Sequence, residues 1–376
     1  MPNLIPYHLT FHSGLRVGTH GVNLEETQAL IPSDTLFSAI VDAWRRTGGA
    51  PADFVAPFVD QPPYPPFLLT SAFPFAGQVR FFPMPVDLTR IFSHEALGER
   101  GKQIKRIRFL SQCLFKQALK GELLDAMLFP ENEYAEPKQG VALQGGTIWL
   151  TVKEVKRLPK KFQRPEGRGH ALRRLKVWDM SSVPRVTVNR INSASNIFHA
   201  GRTTFDNGCG LWFGVQWLDP DAPVGDGDSY RRAFQLTLSM LQDDGLGGER
   251  STGYGAFTWA ESGSVSLPDP APGRPAWLLS RYHPRAEELP ASLTAEHSAY
   301  QLVSVGGWLR SPDGPAMRRK RLRMVVEGGQ VALPALPAGD VSDVRPTYEN
   351  PAGDLSHPVY RYGLALAAGM KEANRG

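Results

Sequence analysis

The chain has 376 residues, 41% hydrophobic and 21% charged, which gives room for two packed domains and excludes wholesale disorder. Its two cysteines, Cys113 and Cys209, exclude a disulfide framework and cannot alone make a four-ligand zinc site. With a formal net charge of +5, what matters is where the lysines and arginines cluster. The start, Met1-Pro2-Asn3-Leu4, lacks a signal-peptide pattern, and no apolar run approaches the roughly 18 residues that span a bilayer. A soluble, cytoplasmic protein with no membrane contact is expected.

Leu4 to Phe11 alternates apolar and polar residues, which predicts a strand, and Gly14 to Gly21 a loop. Ser33 or Asp34 is placed to cap a helix whose apolar face is Leu36, Ile40, Ala43 and Trp44, ending at Gly48-Gly49. A strand, loop and helix in this order open a ferredoxin-like βαββαβ unit. Residues 50–90 are rich in proline and aromatics and read as loops and short edge strands. A second helix is expected from about Arg108 to Met127.

From 153 to 176 the chain is strongly basic and broken by glycine and proline, which predicts a mobile insertion. Arg185 to Arg190 and Leu211 to Trp217 alternate like the two strands of a hairpin. Tyr230 to Leu241 is an amphipathic helix, and Ala256 to Trp259 a strand. A proline-rich stretch from Leu267 to Pro275 marks a boundary. Strand-like segments follow at Tyr300–Leu309, Arg321–Glu327 and Val359–Ala367. The expected organisation is α+β. Residues 1–265 form an RRM-like domain with a basic insertion and hairpin at about 152–217 and a loop at 243–257; residues 276–376 form a second domain.

The sharpest signal is Asp243 to Phe257, where Gly245, Gly247, Gly248, Gly253 and Gly255 fall within eleven residues. Glycines allow positive φ and close approach of backbone N–H groups to an anion. Arg250 and Ser251 add a cation and a hydroxyl. The loop lacks the Gly-Lys-Ser/Thr ending of a P-loop, and it joins a helix to a strand, the reverse of a dinucleotide fingerprint. Three basic runs, 102–108, 153–176 and 318–323, together with aromatics such as Tyr254 and Phe198, point to single-stranded nucleic acid. No recognition helix for duplex DNA is evident. The nine histidines form no metal-binding spacing. His12, followed by Ser13, is the best placed for a phosphate contact or a general base. The Gly-x-Ser-x-Gly hydrolase signature is absent, because Glu249 stands where its first glycine would be. No catalytic residue, metal or cofactor is assigned.

Pro32-Ser33-Asp34-Thr35-Leu36-Phe37-Ser38-Ala39, the segment from Gly245 to Gly255, Pro184 to Arg190 and Tyr360-Arg361-Tyr362-Gly363 together resemble the RAMP subunits of type III CRISPR effector complexes, those of type III-A (Csm) above all. The resemblance implies two ferredoxin-like (RRM-like) domains, a β-hairpin thumb and a glycine-rich loop. It also implies antiviral defence and a non-catalytic subunit that binds the 5′ repeat-derived tag of a crRNA. Its partners would be the large polymerase-type subunit of the Csm complex and a neighbouring backbone RAMP subunit. By that likeness His12, Ser13, Arg16, Arg190, Gly245, Gly247, Gly248, Arg250, Ser251 and Tyr254 would touch RNA. The family's usual acidic residue before the thumb arginine is Asn189 here. The alternatives are a metal-independent crRNA-processing endoribonuclease of the same superfamily, using His12 or His20 as general acid/base, the equivalent type III-B subunit, and a generic RNA chaperone.

Overall fold

The computed structural model describes residues 3–18, 28–163, 169–188, 195–309, 317–346, 355 and 357–371. Arg190, Asn189 and His20 lie outside the described residues. No described helix is long and apolar enough to cross a membrane.

The first half opens with β1 (Asn3–Phe11), α1 (Ser33–Arg46), α2 (Pro51–Val59), β2 (Phe67–Leu69), β3 (Phe73–Ala76) and β4 (Val79–Pro83). It continues through α3 (His94–Ile104), β5 (Phe109–Ser111), α4 (Gln112–Leu119), β6 (Gly140–Leu143), β7 (Ile148–Thr151) and α5 (Gly169–Arg174). A long hairpin follows, β8 (Trp178–Val188) and β9 (Ser195–Phe205), then β10 (Cys209–Trp217), α6 (Tyr230–Asp244), β11 (Phe257–Glu261) and β12 (Val265–Ser266). The second half holds β13 (Pro275–Leu278), α7 (Ala291–Thr294), β14 (Leu302–Val305), β15 (Trp308–Leu309), β16 (Met317–Arg318) and β17 (Leu322–Val325). It ends with β18 (Gln330–Ala332), β19 (Val341–Asp343), β20 (Tyr360–Tyr362) and β21 (Ala367–Gly369).

The large sheet runs β11-β1-β10-β3-β4-β5-β7-β6, antiparallel except where β5 meets β7. β1 sits in the middle of its end, paired to β10 on one side and β11 on the other. Helix α6 buries Tyr230, Ala233, Phe234, Thr237, Leu238 and Leu241, a stripe at helical spacing. Phe234 meets Tyr7 of β1 and Phe67 of β2 at ring separations of 5.5 and 5.3 Å.

Several expectations change. The strand 209–217 is not half of a hairpin with 185–190: β8 pairs with β9 from Trp178↔Phe205 to Val188↔Ser195, while β10 lies in the central sheet. The reason is burial on both faces, which gives Leu211-Trp212-Phe213 a continuous apolar character rather than simple alternation. The expected helix 108–127 is instead strand β5 followed by α4, which Ser111 caps by accepting from the Leu114 N–H. Helix α2 was hidden in a proline-rich stretch because Pro51 occupies its first turn, where proline is tolerated. The basic insertion is anchored by Leu158, Phe162 and Leu172, all buried against the sheet, with Thr151 and Glu154 forming a capping box.

In the second half the described strands form one three-stranded and several two-stranded pairings, and the described helix has only four residues. This half shares its core with the first: Trp277 meets Phe115 edge-on at 5.0 Å, and Tyr362 stacks on Phe37 at 4.8 Å. Ser33 and Asp34 do not cap α1, whose N-cap is Pro32 without a side-chain bond. They clamp the halves together instead. Asp34, fully buried, pairs with Arg361 and, at 3.4 Å, with Arg281. Ser33 Oγ accepts from the Arg281 N–H at 3.0 Å. Glu327, 3.7 Å from Arg281, supplies the second carboxylate, so the two buried guanidiniums face two acids and each charge is paired. Asp34→Ala leaves Arg361 without its carboxylate, though Arg281 keeps Glu327 at 3.7 Å. It should cost about 3–5 kcal/mol, read as a lower midpoint in chemical denaturation, while Asp42→Ala on the exposed side of α1 should change little.

Candidate nucleic-acid interface

β1 ends at Phe11, and residues 12–17 form a strap across the end of the sheet. The His12 N–H donates to Ala256 O at 3.1 Å, holding the strap to the start of β11. Leu15 exchanges two hydrogen bonds of 2.8 Å with Thr203 of β9, fixing the base of the hairpin to the strap. The glycine loop closes the other side: Gly255 N–H donates to Gly14 O at 2.9 Å and Gly248 N–H to Arg16 O at 2.8 Å. Strap, hairpin base and loop thus become one surface through main-chain bonds.

The glycines serve this closure. Gly247 has φ +86°, and a Cβ there would stand 2.3 Å from Arg16 O. Gly255 has φ +82°, with Leu246 O only 2.0 Å from its would-be Cβ. No other residue fits at such approaches. The expected main-chain anion cradle is therefore corrected. The N–H groups of Gly245, Gly248, Gly253 and Gly255 already donate, to Leu241, Arg16, Arg250 and Gly14 respectively. Donors spent inside the fold do not face a phosphate.

Cations carry the surface instead. Arg16 reaches Glu249 at 3.3 Å, both half-buried. Arg185 of β8 lies over the Tyr254 ring at 5.2 Å, with one guanidinium nitrogen 3.5 Å from Thr252 Oγ. Arg202 of β9 runs across Gly14, where a Cβ would meet its Cγ at 2.4 Å. Arg250, Ser251, Thr252 and Gly253 are exposed at the tip, as is His12. Of these four arginines, Arg16 alone is paired with a carboxylate among the described residues. The Oγ of Ser13 and the Nε atoms of Arg16, Arg185 and Arg202 are buried without a hydrogen-bond partner among the described residues.

Nine of the ten residues marked in the sequence gather here, and Arg190 falls outside the described residues. Tyr254 plays a different part from that expected. It is only 8% exposed and its ring is occupied by Arg185, so it braces a cation instead of offering a stacking face. Arg185, Arg202 and Thr252 were missed as site residues. Arg202 was legible only from the true β8–β9 register, which the misplaced second strand concealed. No hydrogen bond links the His12 ring to another described residue, and no three His, Cys, Asp or Glu side chains among the described residues group as a metal site. Gly247→Ala should lower the melting midpoint and open the loop to proteolysis, at a cost of about 1–3 kcal/mol. Gly248→Ala, whose Cβ would meet nothing nearer than 3.6 Å, should be nearly silent in the same assay.

Residues 272–370 match the family model of the CRISPR Csm4 C-terminal domain. Among solved structures, a chain of a Csm3–Csm4 subcomplex from a type III-A CRISPR–Cas interference complex is similar at TM-score 0.60 and 16% identity, covering 98% of this chain and 99% of that one. A chain of a Csm1–Csm4 cassette in complex with cA4 is similar at TM-score 0.53 and 18% identity, covering 99% of each. A cassette with pppApA gives TM-score 0.51 at 18% identity, covering 99% of this chain and 100% of that one. No curated protein matches the sequence.

Proposed function

We propose that this chain, a type III-A RAMP-type subunit with a Csm4 C-terminal domain at residues 272–370, holds the crRNA of a Csm complex by its 5′ repeat-derived tag and does not itself cut RNA. The observation that carries the reading is the gathering of Arg16, Arg185, Arg202 and Arg250 where strap, loop and hairpin base converge, with only Arg16 paired to a carboxylate among the described residues. Single-stranded RNA bound there would lay its phosphates against Arg16, Arg185, Arg202 and Arg250, with Ser13 and Ser251 as hydroxyl donors.

The rest of the fold supports the same part. The strand order β11-β1-β10-β3, with α1 and α6 between its members, is that of a ferredoxin-like unit, the first of the two expected. The β8–β9 hairpin is the thumb, projecting from the RNA surface at its base. Its cross-strand pair Val186 and Ile197 is 57% and 65% exposed, suited to contact bases or a neighbour. Docking to a polymerase-type subunit and to a backbone RAMP subunit follows the assemblies in which the similar chains occur, with Csm1 and with Csm3.

The test is binding of a labelled tag RNA to the purified chain across a salt series. Arg250→Ala and Arg202→Ala should each flatten the slope of log affinity against log salt by about 0.7, one phosphate contact on a single strand, and the RNA should be recovered intact. Unchanged slopes would remove the proposed interface. Specific cleavage lost on His12→Ala would instead establish the ribonuclease.

A further inference from the structure

We infer that the second half carries another binding surface for single-stranded RNA, built on Trp308 and the cations of β16 and β17. It goes beyond the tag-holding role and stands whether or not that role holds.

β15 and β16 pair Trp308 with Arg318 and Leu309 with Met317. Directly opposed residues of an antiparallel pair share a face. Leu309 and Met317 are 6% and 7% exposed and point inward, so Trp308 and Arg318 share the outer face. Trp308 is 60% exposed, and the Arg318 guanidinium lies over its ring at 5.1 Å. One side of the indole is thus covered by a cation, and the remainder is open to a planar partner.

The rest of the basic run is also turned to solvent. Lys320, Arg321 and Arg323 are exposed, with Arg323 opposite Ser304 across β14–β17. The Arg321 stem passes Gly306, two residues before Trp308: a Cβ on that glycine would sit 3.5 Å from Arg321 Cγ. Among the described residues Arg318, Lys320, Arg321 and Arg323 make no ion pair with a carboxylate. Arg319 differs because it turns inward. Burial and the neighbouring Arg361 push its guanidinium down to about 10. Arg361 in turn donates to Gly306 O at 3.0 Å while paired with Asp34, which fixes the backbone just before Trp308. The backbone leading into Trp308 is therefore anchored at Gly306.

The combination selects the occupant. An acidic protein surface would answer the four cations and leave the indole without a flat partner. A nucleotide supplies both, its base on the ring and its phosphates on the arginines.

The experiment is fluorescence anisotropy of the full chain with a labelled 12-nucleotide oligouridylate, which lacks any tag sequence. Trp308→Ala should weaken binding about tenfold, Trp308→Phe should retain most of it, and Arg321→Ala with Arg323→Ala should flatten the salt slope by about 1.4. Because the two arginines are exposed, their replacement tests the surface even if Trp308→Ala disturbs folding. Wild-type affinity and slope in both the Trp308→Ala and the double arginine variants overturn the inference. So does loss of a co-purifying protein with RNA affinity intact, which would mark a protein-docking face. Neither result bears on Arg250→Ala in tag RNA, so the tag-holding role is decided separately.

Discussion

The site depends on a few main-chain hydrogen bonds across the end of the sheet, from Gly248 to Arg16 and from Gly255 to Gly14, with the Leu15–Thr203 pair beside them. They join three segments that are far apart in the chain: the end of the first strand, the base of the β8–β9 hairpin and the loop after α6. The strap and the loop each add only a few side chains, Leu15, Val17 and Leu246, to the core. Tied together, they present arginines from three origins on one face. The left-handed glycines are the cost of that closure, since any side chain at Gly247 or Gly255 would stand inside van der Waals distance of a carbonyl.

Such an arrangement divides the labour between backbone and side chains. The main chain sets shape, and the guanidiniums supply the surface charge. Cation surfaces on a rigid frame bind phosphates with little reorganisation, and their strength follows salt because counterions are released. Glu249 pairs with Arg16 and keeps that guanidinium in place in the unbound state. The Tyr254 ring does the same for Arg185.

Much of the first half was legible in the sequence. β1, α1, α6 and β11 have clean periodicity, and the glycine run announced a special loop. What escaped has physical causes. β10 is buried on both faces, so its pattern did not distinguish a central strand from a hairpin arm. Helix α2 opens on a proline. Ser33 and Asp34 carry the local signature of a cap, yet tertiary partners 247 and 327 residues away claim Asp34. A one-dimensional pattern holds no record of such partners. The glycines stand out in the sequence, but the N–H groups of Gly245, Gly248, Gly253 and Gly255 are bonded within the fold rather than turned to a phosphate. Tyr254 was likewise placed at the site with its burial unforeseen.

The Asp34 clamp extends the same logic to the second half. It holds Arg361, and through Arg361 the backbone at Gly306, so the contact links the two halves at their shared core. The central claim is that RNA lies against the strap, loop tip and hairpin base. Photo-crosslinking of a 4-thiouridine-substituted tag RNA in the assembled complex, followed by peptide mass spectrometry, tests it most directly. Crosslinks in peptides spanning residues 12–16, 185–202 and 250–254 are expected; a tag that crosslinks to this chain only elsewhere would contradict the account.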